Sequence, residues 1–238
     1  MTAPRWSVVI PAFNEARRLP PYLDEVVAHL DGRGEPYEVI VVDDGSTDGT
    51  PDLVAARRHP AVRVLRLEQN SGKGVAVRAG MLVARGAYRL FADADGATPI
   101  AELKRLEPAL TAGADVVIGS RVLADPAVSV ATRPHRVRAG RVFNWLVAQL
   151  GLRGVADSQC GFKAFTAAAA DRLFGGLRTR GFGFDVELLL AAQAAGVRVV
   201  EVPVNWADQP GSKVGVLRHG PGMLWQIVRA SLRVERAG

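Results

Sequence analysis

The stretch Tyr88-Arg89-Leu90-Phe91-Ala92-Asp93-Ala94-Asp95-Gly96 places two carboxylates directly after a short apolar run. Such a run predicts a buried strand at residues 88–92, with Asp93 and Asp95 at its carboxyl end. Two carboxylates so close repel each other unless a cation or protons lie between them. Carboxylate oxygens suit Mg²⁺ or Mn²⁺, and Mg²⁺ often combines one or two carboxylates with substrate phosphates. Asp-x-Asp also occurs in ordinary turns, but its place at a strand end favours a metal site.

On both sides of this stretch, short β-branched or apolar runs alternate with longer helical patterns. In the first half we predict strands at residues 6–10, 38–42, 62–67, 88–92 and 115–118, and helices at 15–30, 50–57, 73–84 and 100–111. This alternation is typical of βαβ units and predicts an α/β fold with a mostly parallel sheet. Beyond residue 119 the rhythm breaks, and we predict helices at 136–150, 184–195 and 222–233 and strands at 161–165 and 197–202.

Composition narrows the class of protein. The 238 residues are 48% hydrophobic, 23% charged and 6% aromatic, which suits one compact domain and excludes disorder, collagen and coiled coil. The lone Cys160 cannot form an internal disulfide, and the N-terminus lacks the pattern of a signal peptide, so we expect a reducing cytoplasmic setting. Every apolar run is interrupted well before the roughly 20 residues that span a bilayer. No repeat or linker is visible, and we expect a single domain over residues 1–238.

Positive charge is concentrated in one part of the chain. The 30 Lys and Arg residues exceed the 24 Asp and Glu residues by six, and the sequence pI is about 10.1. Six arginines and a single aspartate lie between Arg121 and Arg153, so this part carries +5 of the +6. Such a patch fits nucleic acid, anionic lipid or a phosphorylated substrate, or is a solvated basic face.

Two further strand ends carry polar residues. Open parallel sheets bind ligands outside the carboxyl ends of their strands, and there the chain reads Pro11-Ala12-Phe13-Asn14-Glu15 and Asp43-Asp44-Gly45-Ser46-Thr47-Asp48. Asp43, nearest its strand, is a candidate acceptor for a nucleobase or ribose. The first stretch offers an apolar shelf and an acceptor, although Glu15 also suits a helix N-terminus. Thr47 or Asp48 is a candidate cap for the following helix.

Six motifs together resemble the family 2 glycosyltransferases of the GT-A fold. In chain order they are residues 11–15, 42–48, 70–74 (Asn-Ser-Gly-Lys-Gly), 92–96, 119–121 (Gly-Ser-Arg) and 157–163 (Asp-Ser-Gln-Cys-Gly-Phe-Lys). Within this family the chain is most similar to the polyprenyl-phosphate glycosyltransferases. It looks more like the dolichyl-phosphate glucosyltransferases than the mannose synthases because of residues 93–98, 157–163, 204–206 and 211–213. The resemblance implies helices on both faces of the sheet and a Rossmann-like nucleotide-binding half.

The resemblance also implies roles for single residues. Asp93 and Asp95 match the metal carboxylates, although Ala97 replaces a glutamine that joins the metal in mannose synthases. Either water or Thr98 would then supply the missing oxygen. The residues that match nucleotide-binding positions are Pro11, Phe13, Glu15 and Asp43. Lys73 lies in the loop near the nucleotide, and Lys213 matches a basic residue that meets the donor diphosphate. The residues that match the acceptor-phosphate region are Arg121 and one or more of Arg133, Arg136 and Arg138.

Three carboxylates are expected near the acceptor. Asp157 is a third candidate catalytic residue, in addition to Asp93 and Asp95. Asp185 and Glu187 lie where enzymes of this family keep an acidic residue near the acceptor. Asp185 is an equally good candidate for a helix cap. Cys160 fits a small buried residue better than a nucleophile.

The reaction implied by the resemblance is an inverting, metal-dependent transfer of a hexose to a polyprenyl phosphate of the dolichyl or undecaprenyl type. Glucose from UDP-glucose is favoured over mannose from GDP-mannose. A phosphate acceptor has a second pKa of about 6 and needs no general base. The rival reaction, transfer to a sugar hydroxyl in polysaccharide or glycolipid assembly, needs a base such as Asp185 or Glu187. A nucleotide-binding or nucleic-acid-binding module without catalysis is disfavoured because the strand ends are acidic and aromatic residues are few.

Membrane contact follows from the expected lipid substrate. Residues 223–233 mix Trp and aliphatic side chains with Arg, as in an interfacial helix, although this helix also suits closure of the fold. We expect peripheral binding at the inner face of the cell membrane, or a membrane-protein partner, and no nucleic acid. The donor half spans about residues 7–120, the acceptor half 121–215 and the C-terminal helix 216–238.

Overall fold

The computed structural model describes residues 3–132, 134–209 and 216–235. The strands within these ranges are β1 (Trp6–Ala12), β2 (Tyr37–Asp43), β3 (Val62–Arg66), β4 (Tyr88–Ala92), β5 (Val116–Ser120), β6 (Val130–Ala131), β7 (Phe162–Thr166), β8 (Val199–Pro203) and β9 (Trp206–Ala207). The helices are α1 (Leu19–Asp31), α2 (Thr50–Ala55), α3 (Lys73–Val83), α4 (Leu103–Thr111), α5 (Pro134–Gln149), α6 (Ala167–Phe174), α7 (Phe184–Ala194) and α8 (Val216–Glu235). A 3₁₀ turn, Ile100–Glu102, precedes α4.

A seven-stranded sheet in the order β3-β2-β1-β4-β7-β5-β8 forms the centre of the protein. Its strands run in one direction except β7, which is antiparallel to both β4 and β5. The pairing of Ala92 with Phe162 brings the beginning of β7 to the carboxyl end of β4. A short parallel pair, β6 and β9, lies apart from this sheet. The predicted mostly parallel sheet is confirmed.

Helices cover both faces of the sheet, as predicted. Val8 and Ile10 of β1 pack into a core that also holds residues of α1 and α4. Val9, which points to the other face, packs into a second core with residues of α3, α6 and α7. Because both faces are buried, the central strands are mostly apolar and do not alternate regularly between apolar and polar residues.

Several element boundaries differ from the predictions. Helix α1 begins at Leu19, where prolines occupy its first turn, and not at residue 15. Helix α6 was not predicted; the Thr166 side chain caps it by accepting a hydrogen bond from the Ala169 amide at 3.2 Å. Helix α8 begins at Val216, six residues before the predicted start. None of the helices in the described ranges combines the length and apolar character that crossing a bilayer requires.

Candidate active site

The carboxyl ends of β1 and β2 carry loops that are tied together. Asn14, in the left-handed region at φ 52°, accepts a hydrogen bond from the Thr47 amide at 2.8 Å and donates its own amide to Ser46 Oγ at 2.8 Å. The Glu15 amide donates to Thr50 Oγ1 at 2.9 Å. The two loops therefore form one hydrogen-bonded rim beside the end of β4.

Asp93 and Asp95 each lie next to a cation at this rim. Lys73 Nζ is 2.6 Å from Asp93 Oδ1. Arg18 Nη1 is 3.5 Å from Asp95 Oδ2, and the same guanidinium binds Glu15 through two nitrogens at 2.6 and 2.7 Å. The family resemblance implied that Lys73 lies in a loop near the nucleotide, whereas the contacts of Arg18 were not predicted. Its only sequence signal is the spacing of three residues from Glu15.

Burial shapes the charge at these carboxylates. Burial and the neighbouring Asp93 raise the pKa of Asp95 above its ordinary value. Burial alone would lower the pKa of Lys73, but Asp93 and Asp185 outweigh this effect and raise it. The site therefore holds a charged ammonium and favours additional positive charge.

The donor set at Asp93 and Asp95 fits a hard divalent cation. In the described parts of the chain, no cluster of three or more His, Cys, Asp or Glu side chains is arranged to hold a metal ion. The protein would thus supply two carboxylates, and a cation such as Mg²⁺ takes its remaining ligands from water and phosphate. Ala97 adds only its amide, which donates to Asp95 Oδ1 at 3.2 Å.

Gly161 explains how Asp93 is seated. The Asp93 amide donates to the Gly161 carbonyl at 3.0 Å, and a Cβ at Gly161 would lie only 2.0 Å from Asp93 Oδ2. The loop before β7 therefore packs directly against Asp93. It can do so because β7 is antiparallel to β4 and begins at the carboxyl end of β4.

Asp44 holds residues 69–74, the end of the loop after β3 and the first two residues of α3, here called the Lys73 loop. The Asp44 carboxylate accepts hydrogen bonds from the amides of Ser71 and Gly72 at 2.7 and 2.8 Å. Gly72 has a φ of 101°, which a residue with a side chain rarely adopts. Sequence reasoning singled out Asp43 and missed this role of Asp44.

Asp43 is almost fully buried at the end of β2. Its Oδ1 accepts from the Ser46 amide at 3.2 Å. No donor among the described residues hydrogen-bonds Oδ2, and Arg66 Nε lies 3.8 Å away. A buried carboxylate oxygen of this kind can accept a hydrogen bond from a ligand. Pro11 and Phe13, the other expected nucleotide-binding residues of this edge, are both partly exposed.

Arg121 and Asp157, both expected near the acceptor, bind each other. Arg121 Nε and Nη2 donate to the two Asp157 oxygens at 2.7 and 2.8 Å, and the Arg121 amide adds a bond of 3.0 Å. Burial alone would raise the pKa of Asp157, but Arg121 outweighs burial and lowers it. The guanidinium also lies 5.5 Å from the Trp206 ring centroid.

Asp185 does not cap α7. The helix begins without a side-chain cap, and Asp185 Oδ1 instead accepts from Lys163 Nζ at 2.6 Å. Lys163 is fully buried and also donates to the Cys160 carbonyl at 2.6 Å. The expectation of a cap was wrong because this buried cation lies within reach. Burial raises the pKa of the Cys160 thiol to about 11, which agrees with its expected inert role.

The remaining expected residues lie wholly or partly outside the described ranges. Arg133 and Lys213 fall outside the described residues. The backbone of Arg136 and of Arg138 is part of α5, but the structure does not describe their side chains.

The sequence profile described as "Glycosyl transferase family 2" matches residues 7–174. The chain belongs to glycosyl transferase family 2. This membership confirms the resemblance and means that the strand-end motifs described above belong to a glycosyltransferase.

Several proteins similar in sequence to this chain are named dolichyl-phosphate beta-glucosyltransferase. The Drosophila melanogaster protein is 44% identical over 87% of this chain and 68% of its own length. The Homo sapiens protein is 40% identical over 87% of this chain and 69% of its length. A Trichomonas vaginalis protein is 41% identical over 87% of this chain and 65% of its length. The chain thus spans about two thirds of the length of these relatives.

Solved structures support the fold of this family 2 chain. Glucosyl-3-phosphoglycerate synthase from Mycobacterium tuberculosis has a TM-score of 0.74 at 22% identity, and the match covers 97% of this chain and 80% of that one. That crystal contains Mn²⁺, UDP and glucosyl-3-phosphoglycerate. A second crystal of the synthase, with Mg²⁺ and UDP, has a TM-score of 0.73. At this identity the likeness establishes the GT-A fold.

Proposed function

We propose that this chain transfers glucose from UDP-glucose to the phosphate of a polyprenyl phosphate, with inversion at the sugar carbon. The observation that carries the proposal is the cluster of paired charges at the end of β4, where Lys73 meets Asp93 and Arg18 meets Asp95. This cluster lies at the sheet edge where α/β folds bind nucleotides. The names of the relatives, dolichyl-phosphate beta-glucosyltransferase at 35% to 44% identity, support the choice of sugar and acceptor.

The donor nucleotide is bound by the rim of loops after β1 and β2. Pro11 and Phe13 supply the apolar shelf, and Glu15 and Asp43 supply acceptors. The buried Asp43 Oδ2 is suited to an N–H of the base or an O–H of the ribose, because an ionised carboxylate only accepts hydrogen bonds. Lys73 adds positive charge toward the diphosphate, and Lys213 is proposed to do the same.

Asp93 and Asp95 are the residues that would hold a divalent cation, either Mg²⁺ or Mn²⁺. When bound, such an ion supplies Lewis-acid stabilisation of the departing diphosphate. The position of both carboxylates at the end of one strand supports this assignment. Burial and the neighbouring Asp93 raise the pKa of Asp95, so that a bound cation would stabilise its ionised form. The Mn²⁺ and Mg²⁺ found with UDP in the mycobacterial synthase also support it.

The acceptor side works without a general base. A phosphate monoester has a second pKa of about 6, so it is already largely a dianion at neutral pH. Its oxygen forms the bond to the sugar carbon while the bond from that carbon to UDP breaks, and the electron pair leaves on the diphosphate. Asp157 is a weak base because its pKa is lowered, so we assign it to holding Arg121 rather than to proton transfer.

Arg121 is proposed to orient the acceptor phosphate. Asp157 cancels its charge, so Arg121 contributes directed hydrogen bonds more than net attraction. The attraction for a dianion is assigned to the surrounding basic residues, with Arg136 and Arg138 as the first candidates. Such cations also reduce the repulsion between the acceptor and the donor diphosphate.

The outer surfaces of α5 and α8 are proposed to meet the membrane that carries the acceptor. Trp145 of α5 and Trp225 of α8 are 61% and 62% exposed. The Arg229 guanidinium lies 5.9 Å from the Trp225 ring centroid. Tryptophan beside arginine is typical of side chains at a lipid headgroup boundary.

The test of the proposed function is a panel of nucleotide sugars offered with a short-chain polyprenyl phosphate and Mn²⁺. We expect UDP-glucose to give a β-linked glucosyl phosphate, identified by mass spectrometry and by the NMR coupling at the sugar carbon. The matched control is the polyprenyl alcohol of the same chain length, which lacks the phosphate and should give no product. Product from GDP-mannose alone, or from a sugar hydroxyl, would replace this proposal with one of the rival reactions.

A further inference from the structure

Helix α8 presents two different faces. Its exposed residues Trp225, Arg229 and Leu232 lie three or four positions apart and form one stripe. Ile227 and Ala230 are buried against the rest of the protein. Between these two faces, on one flank of the helix, lie the partly exposed polar side chains Gln226 and Arg233. They contact a segment that leads to the donor site.

That segment, residues 178–183, is here called the crossing segment. Arg233 Nη2 donates to Thr179 Oγ1 at 3.2 Å, and the Gly183 amide donates to Gln226 Oε1 at 3.3 Å. A Cβ at Gly181 would lie 2.9 Å from Gln226 Nε2, so α8 approaches the bare backbone closely. The polar flank of α8 thus fixes one side of the crossing segment.

Glu187 of α7 also contacts the crossing segment and Arg233. Its Oε2 accepts hydrogen bonds from the amides of Arg178 and Thr179 at 3.2 and 2.6 Å. Its Oε1 accepts from Arg233 Nη2 at 2.9 Å. Glu187 is buried and occupied by these partners, which argues against its use as a base for a hydroxyl acceptor.

On its other side, the crossing segment packs against the Lys73 loop. The Gly74 amide donates to the Arg180 carbonyl at 2.8 Å, and Arg180 Nε donates to the Ser71 carbonyl at 3.2 Å. A Cβ at Gly72 would lie 2.5 Å from the Arg180 carbonyl oxygen. The two backbones touch without intervening side chains, so a displacement of one moves the other.

We propose that Glu187 is a positioning residue for the donor site. With Gln226 and Arg233 of α8 it fixes the crossing segment, which in turn keeps Lys73 beside Asp93. The polar flank of α8 therefore supports donor binding, while its exposed stripe points away from the protein. The inference rests on the proposed function, because it names what aligns the cation that meets the donor diphosphate.

The experiment measures the affinity of the purified full chain for UDP with MnCl₂ by calorimetry. Glu187→Gln removes the charge that holds two amides and Arg233, and we expect a rise of about tenfold in Kd, the effect of one lost hydrogen bond to a charged group. Arg233→Ala, on a partly exposed side chain, tests the same support should Glu187→Gln fold poorly. Glu107→Gln is the matched control, since Glu107 also binds arginines, Arg5 and Arg33, but does not contact the crossing segment. Its Kd should equal that of the parent.

A double variant separates positioning from simple destabilisation. If Glu187 acts through Lys73, Glu187→Gln added to Lys73→Ala should raise Kd no further than Lys73→Ala alone. Fully additive effects would overturn the inference. In the absence of nucleotide, acetylation of Lys73 relative to Lys104, followed by peptide mass spectrometry, should increase in Glu187→Gln. Unchanged labelling together with an unchanged Kd would also overturn it, whereas a parent chain that does not bind UDP at all would overturn the proposed function itself.

Discussion

The carboxyl edge of the sheet, where we propose that the donor binds and which we call the donor edge, differs in chemistry from the exposed surfaces of α5 and α8. At the donor edge, loops from parallel strands are hydrogen-bonded to each other, and Asp93 and Asp95 each have a cation beside them. On the helices, Trp145 and Trp225 are exposed, and Arg229 lies beside Trp225. We infer that a rigid polar edge suits a water-soluble nucleotide, and an apolar, positively charged surface suits a substrate held in a lipid layer.

The largest expected effect is at the donor edge. Asp95→Asn removes a charge but keeps the shape, and we expect turnover with UDP-glucose and polyprenyl phosphate to fall by about 10²–10³, the usual cost of one well-placed electrostatic group. Asp24→Asn, which changes a carboxylate paired with Arg57 on the surface, is the control and should retain parental turnover. A loss of only a few-fold for Asp95→Asn would contradict the metal assignment.

Gly161→Ala tests the packing against Asp93 at the same edge. The added Cβ would lie 2.0 Å from Asp93 Oδ2, so Asp93 has to move. Overpacking costs about 1–3 kcal/mol, and we expect the Kd for UDP with Mn²⁺ to rise by about tenfold or more. Gly140→Ala, with open space around the new methyl group, should bind UDP like the parent. Equal affinities in both variants would remove Gly161 from the donor site.

Arg121→Lys asks whether the acceptor side is separable from the donor edge. Lysine cannot reproduce the two parallel bonds to Asp157. We expect KM for polyprenyl phosphate to rise by about five- to tenfold, since hydrogen bonds to a charged group are lost, while the Kd for UDP stays unchanged. Steady-state kinetics with each substrate varied in turn measures this. Equal losses for both substrates would move Arg121 out of the acceptor role.

The smallest effect is expected on the helices. Trp145→Ser and Trp225→Ser should each reduce partition onto anionic liposomes about fivefold, because a partly inserted side chain contributes roughly 1 kcal/mol. Sedimentation measures the bound fraction. Leu53→Ser removes an exposed hydrophobic residue on α2 and should leave sedimentation unaltered. If all three variants sediment alike, Trp145 and Trp225 do not form the membrane-binding surface proposed for α5 and α8.

The sequence predicted the strands and the mostly parallel sheet, but not that β7 is reversed. Apolar runs locate β1 to β5 because buried strands need them, and most predicted ends lie within two residues of the observed ones. The reversal of β7 depends on how the chain returns to the sheet, which no local pattern encodes. Helix α6 was missed because its alanine-rich start offers little apolar periodicity. Two prolines delayed α1 beyond its predicted start.

The candidate site was predicted as a set of residues but not as a set of contacts. Position at strand ends brought Asp43, Asp93 and Asp95 to one edge, as expected for parallel strands. The partners of Asp44, Arg18 and Glu187 could not be predicted because they lie far away in the chain or have no motif. The pairing of Arg121 with Asp157, 36 residues apart, is a product of the fold in the same way.

The reversed strand also has a consequence for biosynthesis. In the sheet, β5 and β8 connect to the other strands through β7. A ribosome adds roughly 5–20 residues per second, so about 4–14 s separate the emergence of β4 from that of β7. During this interval one side of β4 is an unpaired edge, the kind of surface that templates aggregation. A nascent chain of this fold therefore presents this unpaired edge to chaperones until residue 162 leaves the exit tunnel.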